Sequence, residues 1–224
     1  MKPGMRPGGC NQRANKREYT RLLCWTFAAS VAVFTAVAVD VTHRGPLARA
    51  DQHVAHWSFR HVPGWLHVLC RWATHLGDAS LLAVFVVFAS AWLLTRQRRF
   101  DAVLLASTAG TTALVTTGLK QAFRRSRPVF VDPDHGPRSF SFPSGHSSGA
   151  FAVYLLLTLL LAAGLSGRVR ARLIGGALAL ATLVATTRVL LPVHYLTDVI
   201  AGTCIGLAAV AAAMLARAAL AGGR

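Results

Sequence analysis

Residues 141–165 read Ser-Phe-Pro-Ser-Gly-His-Ser-Ser-Gly-Ala-Phe-Ala-Val-Tyr-Leu-Leu-Leu-Thr-Leu-Leu-Leu-Ala-Ala-Gly-Leu. A short motif ending in His146 opens directly into an uncharged apolar run, about 147–165. Runs of about 18 or more apolar residues indicate membrane helices, because about 20 residues span the hydrocarbon core. Five further runs share this character, about 22–39, 79–95, 101–119, 172–191 and 198–216. The expected fold class is all-α: a six-helix transmembrane bundle, one domain over residues 21–218. Residues 1–20 are expected to form a disordered basic cytoplasmic tail and 219–224 a short cytoplasmic one.

Composition agrees with a membrane protein. Of 224 residues 54% are hydrophobic and only 14% charged, where a soluble domain carries about 25% charged residues. The run at 22–39 follows a basic leader and ends Ala36-Val37-Ala38, which also fits a secretory signal. It is longer than the usual apolar core of such a signal, about 7–15 residues, and this favours a retained first helix.

The net charge of +16 is explained by topology rather than by nucleic acid. With the N-terminus inside, Lys2, Arg6, Arg13, Lys16, Arg17 and Arg21 are cytoplasmic. Arg96, Arg98, Arg99, Arg168, Arg170, Arg172, Arg217 and Arg224 join them. The other face receives Arg44, Arg49, Arg60, Arg71, Lys120, Arg124, Arg125, Arg127, Arg138 and Arg188. Cytoplasmic loops are richer in Lys and Arg, as expected. Both termini are therefore read as cytoplasmic, in what is expected to be a bacterial plasma membrane.

Between the first two spans, residues about 40–78 form a long connection whose second half reads as an interfacial helix. Trp65, Leu69 and Trp72 share one face, and His67, Arg71 and His75 recur on another. His53, His56, His61, His67 and His75 invite a metal reading, but they follow a polar face and lack the tight grouping of a zinc site. Cys10, Cys24, Cys70 and Cys204 show no paired spacing, so no disulfide or zinc framework is legible.

Three segments gather charge and imidazole at the outer ends of spans. Lys120, Arg124 and Arg127 stand at i, i+4 and i+7, one helical face, before Pro128 ends the helix. Alone, they are an ordinary basic flank. Pro143-Ser144-Gly145-His146 opens the fourth span. A helix start offers free N–H groups and a positive dipole end to an anion, and Gly145 permits close approach. The alternative is a helix cap with an interfacial histidine. Arg188, His194 and Asp198 complete the set: a carboxylate four residues from the imidazole can fix its tautomer, or simply cap the last helix. The segment between spans three and four, about 120–146, carries Pro128, Pro133, Pro137 and Pro143 with Asp132 and Asp134, so its middle reads as a loop.

In sequence these segments are K-Q-A-F-R-R-S-R-P, S-F-P-S-G-H-S and T-R-V-L-L-P-V-H-Y-L-T-D. Together, over about residues 100–205, they resemble the type 2 phosphatidic acid phosphatases, a family that includes bacterial lipid phosphatases and isoprenyl diphosphate phosphatases. Thr187 stands where the family has serine, Pro192 where it often has glycine and Leu190 where it is often aromatic. The resemblance implies that His194 attacks phosphorus and becomes phosphohistidine, with Asp198 orienting it and His146 exchanging the proton. It implies that Lys120, Arg127 and Arg188, with Ser144 and the Gly145 amide, hold the phosphoryl oxygens. Phosphoryl transfer depends mainly on positioning and charge stabilisation, which three fixed cations supply, so no metal or cofactor is expected. Arg124 and Arg125 are left outside this core.

The implied substrate is a lipid phosphate, phosphatidate-like or a polyprenyl diphosphate, met at the bilayer; the dense cations tilt the reading slightly toward a diphosphate. Alternatives are a lipid phosphotransferase using the same phosphohistidine and a non-catalytic lipid-binding membrane protein. Vanadate haloperoxidases share these motifs but are soluble. Oligomeric state is not legible.

Overall fold

The computed structural model describes the backbone of residues 8–128, 130 and 139–222. Most of the loop expected in the middle of the segment 120–146 lies outside the described residues. Among these the chain is helical, without strands: α1 Gly8–Thr42, α2 Pro46–His61, α3 Gly64–Thr74, a 3-10 turn His75–Gly77, α4 Ala79–Thr95, α5 Arg99–Phe123, α6 Gly145–Leu161, α7 Gly167–Leu190 and α8 Leu196–Gly222. Helix α1 already begins at Gly8, so part of the stretch read as a tail is helical backbone, and α8 runs on to Gly222.

Four segments are long and apolar enough to cross a membrane: Arg17–Thr42, Arg99–Phe123, Gly167–Leu190 and Leu196–Leu220. Gly64–Gly77 and Ala79–Thr95 qualify together as a fifth, bent by 44° at Asp78, and α6 is a shorter apolar helix. The outward faces match a lipid environment. On α4, Leu81, Val84, Phe85, Val87, Phe88 and Trp92 are all exposed. So are Trp65, Leu69 and Trp72 on α3, the residues that sequence periodicity places on one face.

The connection between α1 and α4 holds more helix than expected, because its first half is α2. Asp40 ends the α1 run and turns its carboxylate onto the start of α2. Its Oδ1 accepts from the Leu47 amide at 3.3 Å and its Oδ2 from the Ala48 amide at 2.7 Å. Pro46 occupies the first turn, where its missing N–H costs nothing. Asp51, Ala55 and Ser58, at i, i+4 and i+7, form the buried face of α2. The helix carries a carboxylate on its buried face and has no long apolar run, which is why a search for apolar runs passes over it.

Helices α6 and α8 are the axis of the bundle. Leu155, Leu156, Leu157 and Leu160 of α6 pack with Val210, Ala213 and Met214 of α8, beside Leu82, Val86 and Leu93 of α4 and Leu104 and Leu105 of α5. Ala150 and Phe151 meet Ala181, Val184 and Ala185 of α7 on the other side of α6. In lipid, where apolar burial drives association weakly, close packing of small residues does much of the work. Gly202 and Gly206, four apart on α8, lie against α6. A Cβ at Gly206 would stand 2.7 Å from both Phe151 Cβ and Ser148 O. At the end of the bundle away from the motifs, Asp101 clasps α5 to α8. Its Oδ1 accepts from Arg217 Nε at 2.7 Å and its Oδ2 from Arg98 Nε at 2.8 Å, while Arg98 Nη2 reaches Leu160 O.

Gly206→Val is therefore expected to destabilise the protein by about 1–3 kcal/mol or more through overpacking. The same change at Gly175, whose Cβ would meet nothing within 4 Å, should be nearly silent. Thermal unfolding midpoints in detergent compare the two.

Candidate active site

The three motifs meet where α5 ends, α6 begins and α7 turns into α8. Lys120 lies in the last turn of α5 and donates from Nζ to the carbonyls of Phe140 and Ser141, holding the strand that leads into α6. Ser144 is the N-cap of α6, accepting from the Ser147 amide at 3.4 Å and from Ser147 Oγ at 3.1 Å. The Ser144 amide donates to the backbone oxygen of Asp198 at 2.9 Å, tying the start of α6 to the start of α8. Gly145 follows as the first residue of α6 and His146 as the second.

His194 precedes α8 rather than lying on it. Its Nδ1 is 3.3 Å from Asp198 Oδ2 and its Nε2 is 3.2 Å from Arg127 Nη1. A proton on Nδ1 facing the carboxylate leaves the Nε2 lone pair directed toward the guanidinium. Asp198 also reaches back to the Tyr195 amide at 2.9 Å, so it caps α8 and orients His194 at once. The Asp198 carboxylate further accepts from Ser141 Oγ and from Arg125 Nη1, the latter at 2.7 Å.

Arg127 is pinned by Val193 O at 2.7 Å and Ser139 O at 2.9 Å. Arg188 is buried and donates from Nη1 to Thr74 Oγ1 at 2.6 Å, while its Nε has no hydrogen-bond partner among the described residues. A buried guanidinium with an unsatisfied N–H is costly unless an anion completes it. The charges of Arg127 and Arg188 reach both His146 and His194, so these two cations are shared by the two imidazoles. Thr187, the hydroxyl beside Arg188, is buried and turned back onto Val184 O at 2.6 Å.

Burial holds the His194 imidazole far below its ordinary range, at about 3. Asp198 pulls it upward, while Arg127 and Arg188 press it further down. The ring is therefore a neutral base at any pH at which the protein would work.

His146 Nε2 is 2.9 Å from Asp78 Oδ1, and Asp78 Oδ2 is 2.7 Å from His75 Nδ1. Both partners come from the turn between α3 and α4.

A family model of the PAP2 superfamily matches residues 101–220. The chain belongs to the PAP2 superfamily. It is a PAP2-type membrane lipid phosphatase. Phosphatidylglycerophosphatase B of Bacillus subtilis is 31% identical over 182 residues, covering 80% of this chain and 88% of that protein. A crystal structure of the transmembrane PAP2-type phosphatidylglycerolphosphate phosphatase from Bacillus subtilis superposes with a TM-score of 0.78 at 29% identity, covering 85% of this chain and 94% of that one. The fold is shared also with Aquifex aeolicus LpxE, at a TM-score of 0.55 and 23% identity, covering 75% and 94% of the two chains.

Around the PAP2 motifs stand residues that sequence reasoning passed over. Arg125, left outside the core, bridges Asp198 and Asp51, the latter through Nη2 at 2.8 Å, and lies over the Tyr195 ring at 4.2 Å. Asp51 in turn accepts from the amide and hydroxyl of Thr197. Arg124, its neighbour, is exposed and bonds only within its own helix end, to Gln121 O. His75, read as one of a row of polar-face histidines, has Asp78 as a specific partner. A usable signal was present: the chain has only 8 acidic residues, and ionisable groups at membrane depth are functional suspects.

The His194 ring is expected to stay neutral down to pH 5, because its lowered value keeps the proton off well below the ordinary imidazole range. An NMR titration of ring nitrogens, with His194→Gln identifying the signal, measures this; a midpoint near 6.5 would contradict it.

Proposed function

We propose that this protein hydrolyses the phosphate of a membrane lipid through a phosphohistidine at His194, without a metal. The observation that carries this reading is the buried, unpartnered Nε of Arg188 beside a neutral His194. An anion drawn to that guanidinium lies against a nucleophile rather than against a mere ion pair.

In the first step His194 Nε2 displaces Arg127 as its neighbour and attacks phosphorus. Asp198 holds the tautomer and stabilises the charge that develops on the ring. Arg127, Arg188 and Lys120 take the phosphoryl oxygens. Ser144, which already accepts two hydrogen bonds, has its own O–H to donate, and the Gly145 amide at the α6 start adds a second neutral donor. His146 protonates the departing oxygen and then activates water for the second step. Fixed cations and dipoles in a dry site can supply most of the charge stabilisation.

The lipid chain has a path. A cavity of about 340 Å³ between α4, α5 and α6 is lined by Leu82, Val86, Ala109 and Val153 and ends at Gly145 and Ser148. An acyl chain in that cleft would bring its phosphate to the first turn of α6. The name of the Bacillus relative favours a phospholipid monoester of the phosphatidylglycerophosphate class. The convergence of three cations keeps a polyprenyl diphosphate as the second reading.

In the membrane we read six crossings, with α6 as the fourth and α4 as the second, and with α3 lying in the interface on Trp65, Leu69 and Trp72. Both termini then face the cytoplasm and the site opens on the other side.

Phosphate release by detergent-purified protein with chelator present tests the function. Phosphatidylglycerophosphate, phosphatidate and a polyprenyl diphosphate would be compared. Release should persist in chelator and fall at least about a thousandfold in His194→Ala. Loss with chelator and recovery with magnesium would contradict the metal-free reading. Release only after adding a lipid acceptor would point to phosphotransfer instead.

A further inference from the structure

The turn between α3 and α4 is built around His146. Thr74 Oγ1 accepts from Arg188. Leu76 O accepts from the Tyr154 phenol Oη on α6, which fastens the turn to the helix that carries His146. Gly77 packs against the imidazole itself: a Cβ there would stand 3.0 Å from His146 Cδ2 and would collide with Val184. Asp78 then receives His146 Nε2 on one oxygen at 2.9 Å and His75 Nδ1 on the other at 2.7 Å. Within five consecutive residues, four make contacts with the site or its supporting helix.

These contacts lead in one direction. His146 is mostly buried, Asp78 is about a third exposed at 35%, and His75 is open to solvent at 63%. Other charged groups facing His146 are Arg188 and Arg127. A general acid surrounded by cations needs one carboxylate, and Asp78 is in place to be it.

We propose that Asp78, held by His75, is the positioning residue of His146, fixing its proton on Nε2 so that Nδ1 serves the reaction. This rests on the phosphohistidine reading above. In the first step the P–O bond to the lipid breaks with its electron pair remaining on the lipid oxygen, and the Nδ1 proton passes to that oxygen. His146 is then neutral, its proton still on Nε2 and donated in a hydrogen bond to Asp78. In the second step the Nδ1 lone pair takes a proton from water as the water oxygen bonds to phosphorus. The P–N bond breaks with its pair returning to His194. Asp78 stabilises the imidazolium at the start and end of the cycle, and His75 connects it to bulk water.

The test compares leaving groups. Phosphoenzyme formation would be followed by rapid quench, enzyme in excess, with a lipid phosphate and with p-nitrophenyl phosphate, whose leaving group needs little help from an acid. Asp78→Asn should slow the lipid reaction at least about tenfold, toward the range ascribed to general acid catalysis, and the aryl reaction less than about threefold on the same reasoning. Asp78→Glu should recover part of the lipid rate. His75→Ala, at an exposed position where folding is not in question, should show the same selective loss in weaker form. Equal slowing of both substrates by Asp78→Asn would make its role structural and overturn the proposal, as would unchanged rates in both Asp78→Asn and His75→Ala. Failure of the parent protein to form any phosphoenzyme would overturn the phosphohistidine reading itself, a distinct result.

Discussion

The Asp198 carboxylate is the point on which the site is assembled. Its two oxygens accept from His194, Ser141, the Tyr195 amide and Arg125, so one buried side chain fixes groups from the turn before α8, the approach to α6 and the stretch after α5. Its backbone oxygen takes the Ser144 amide as well. A buried carboxylate is tolerated only when paired and hydrogen-bonded, and Arg125 supplies the pairing. Arg125 is itself shared with Asp51 on α2. Breaking one member of such a buried pair typically costs about 3–5 kcal/mol, because the remaining charge is left uncompensated. The network therefore constrains the fold and the chemistry with the same bonds.

The site's electrostatics follow from where these charges stand. The chain concentrates cations around two imidazoles and places its few carboxylates behind them: Asp198 behind His194, Asp78 behind His146. Burial, with Arg127 and Arg188 adding to it, keeps the His194 ring neutral. The carboxylates set which nitrogen of each ring carries its proton. Under the proposed mechanism the two Asp–His pairs have opposite tasks, one supporting a nucleophile and one supporting an acid.

Much of this was legible in the sequence, and the reasons for what was not are physical. Helices α4 to α8 are visible because each is a long apolar run, and the motif residues are visible because helix ends impose their spacing. His194 and Asp198 are local, four residues apart, so their bond can be anticipated. The expected helical i, i+4 geometry is replaced by a helix-capping turn, since α8 begins after His194. Arg125 with Asp51, and His146 with Asp78, are separated by 74 and 68 residues, and no periodicity encodes a contact between two polar side chains so far apart. Helix α2 was missed for the same cause: its buried face includes Asp51, whose partners Arg125 and Thr197 lie elsewhere in the chain.

The central claim is that His194 carries the phosphoryl group. The direct measurement is to mix the protein with a 32P-labelled lipid phosphate, quench in alkali, where phosphohistidine survives, and locate the label by peptide mapping. The label should lie on His194 and be absent from His194→Ala. No alkali-stable label, or a label on another residue, would contradict it.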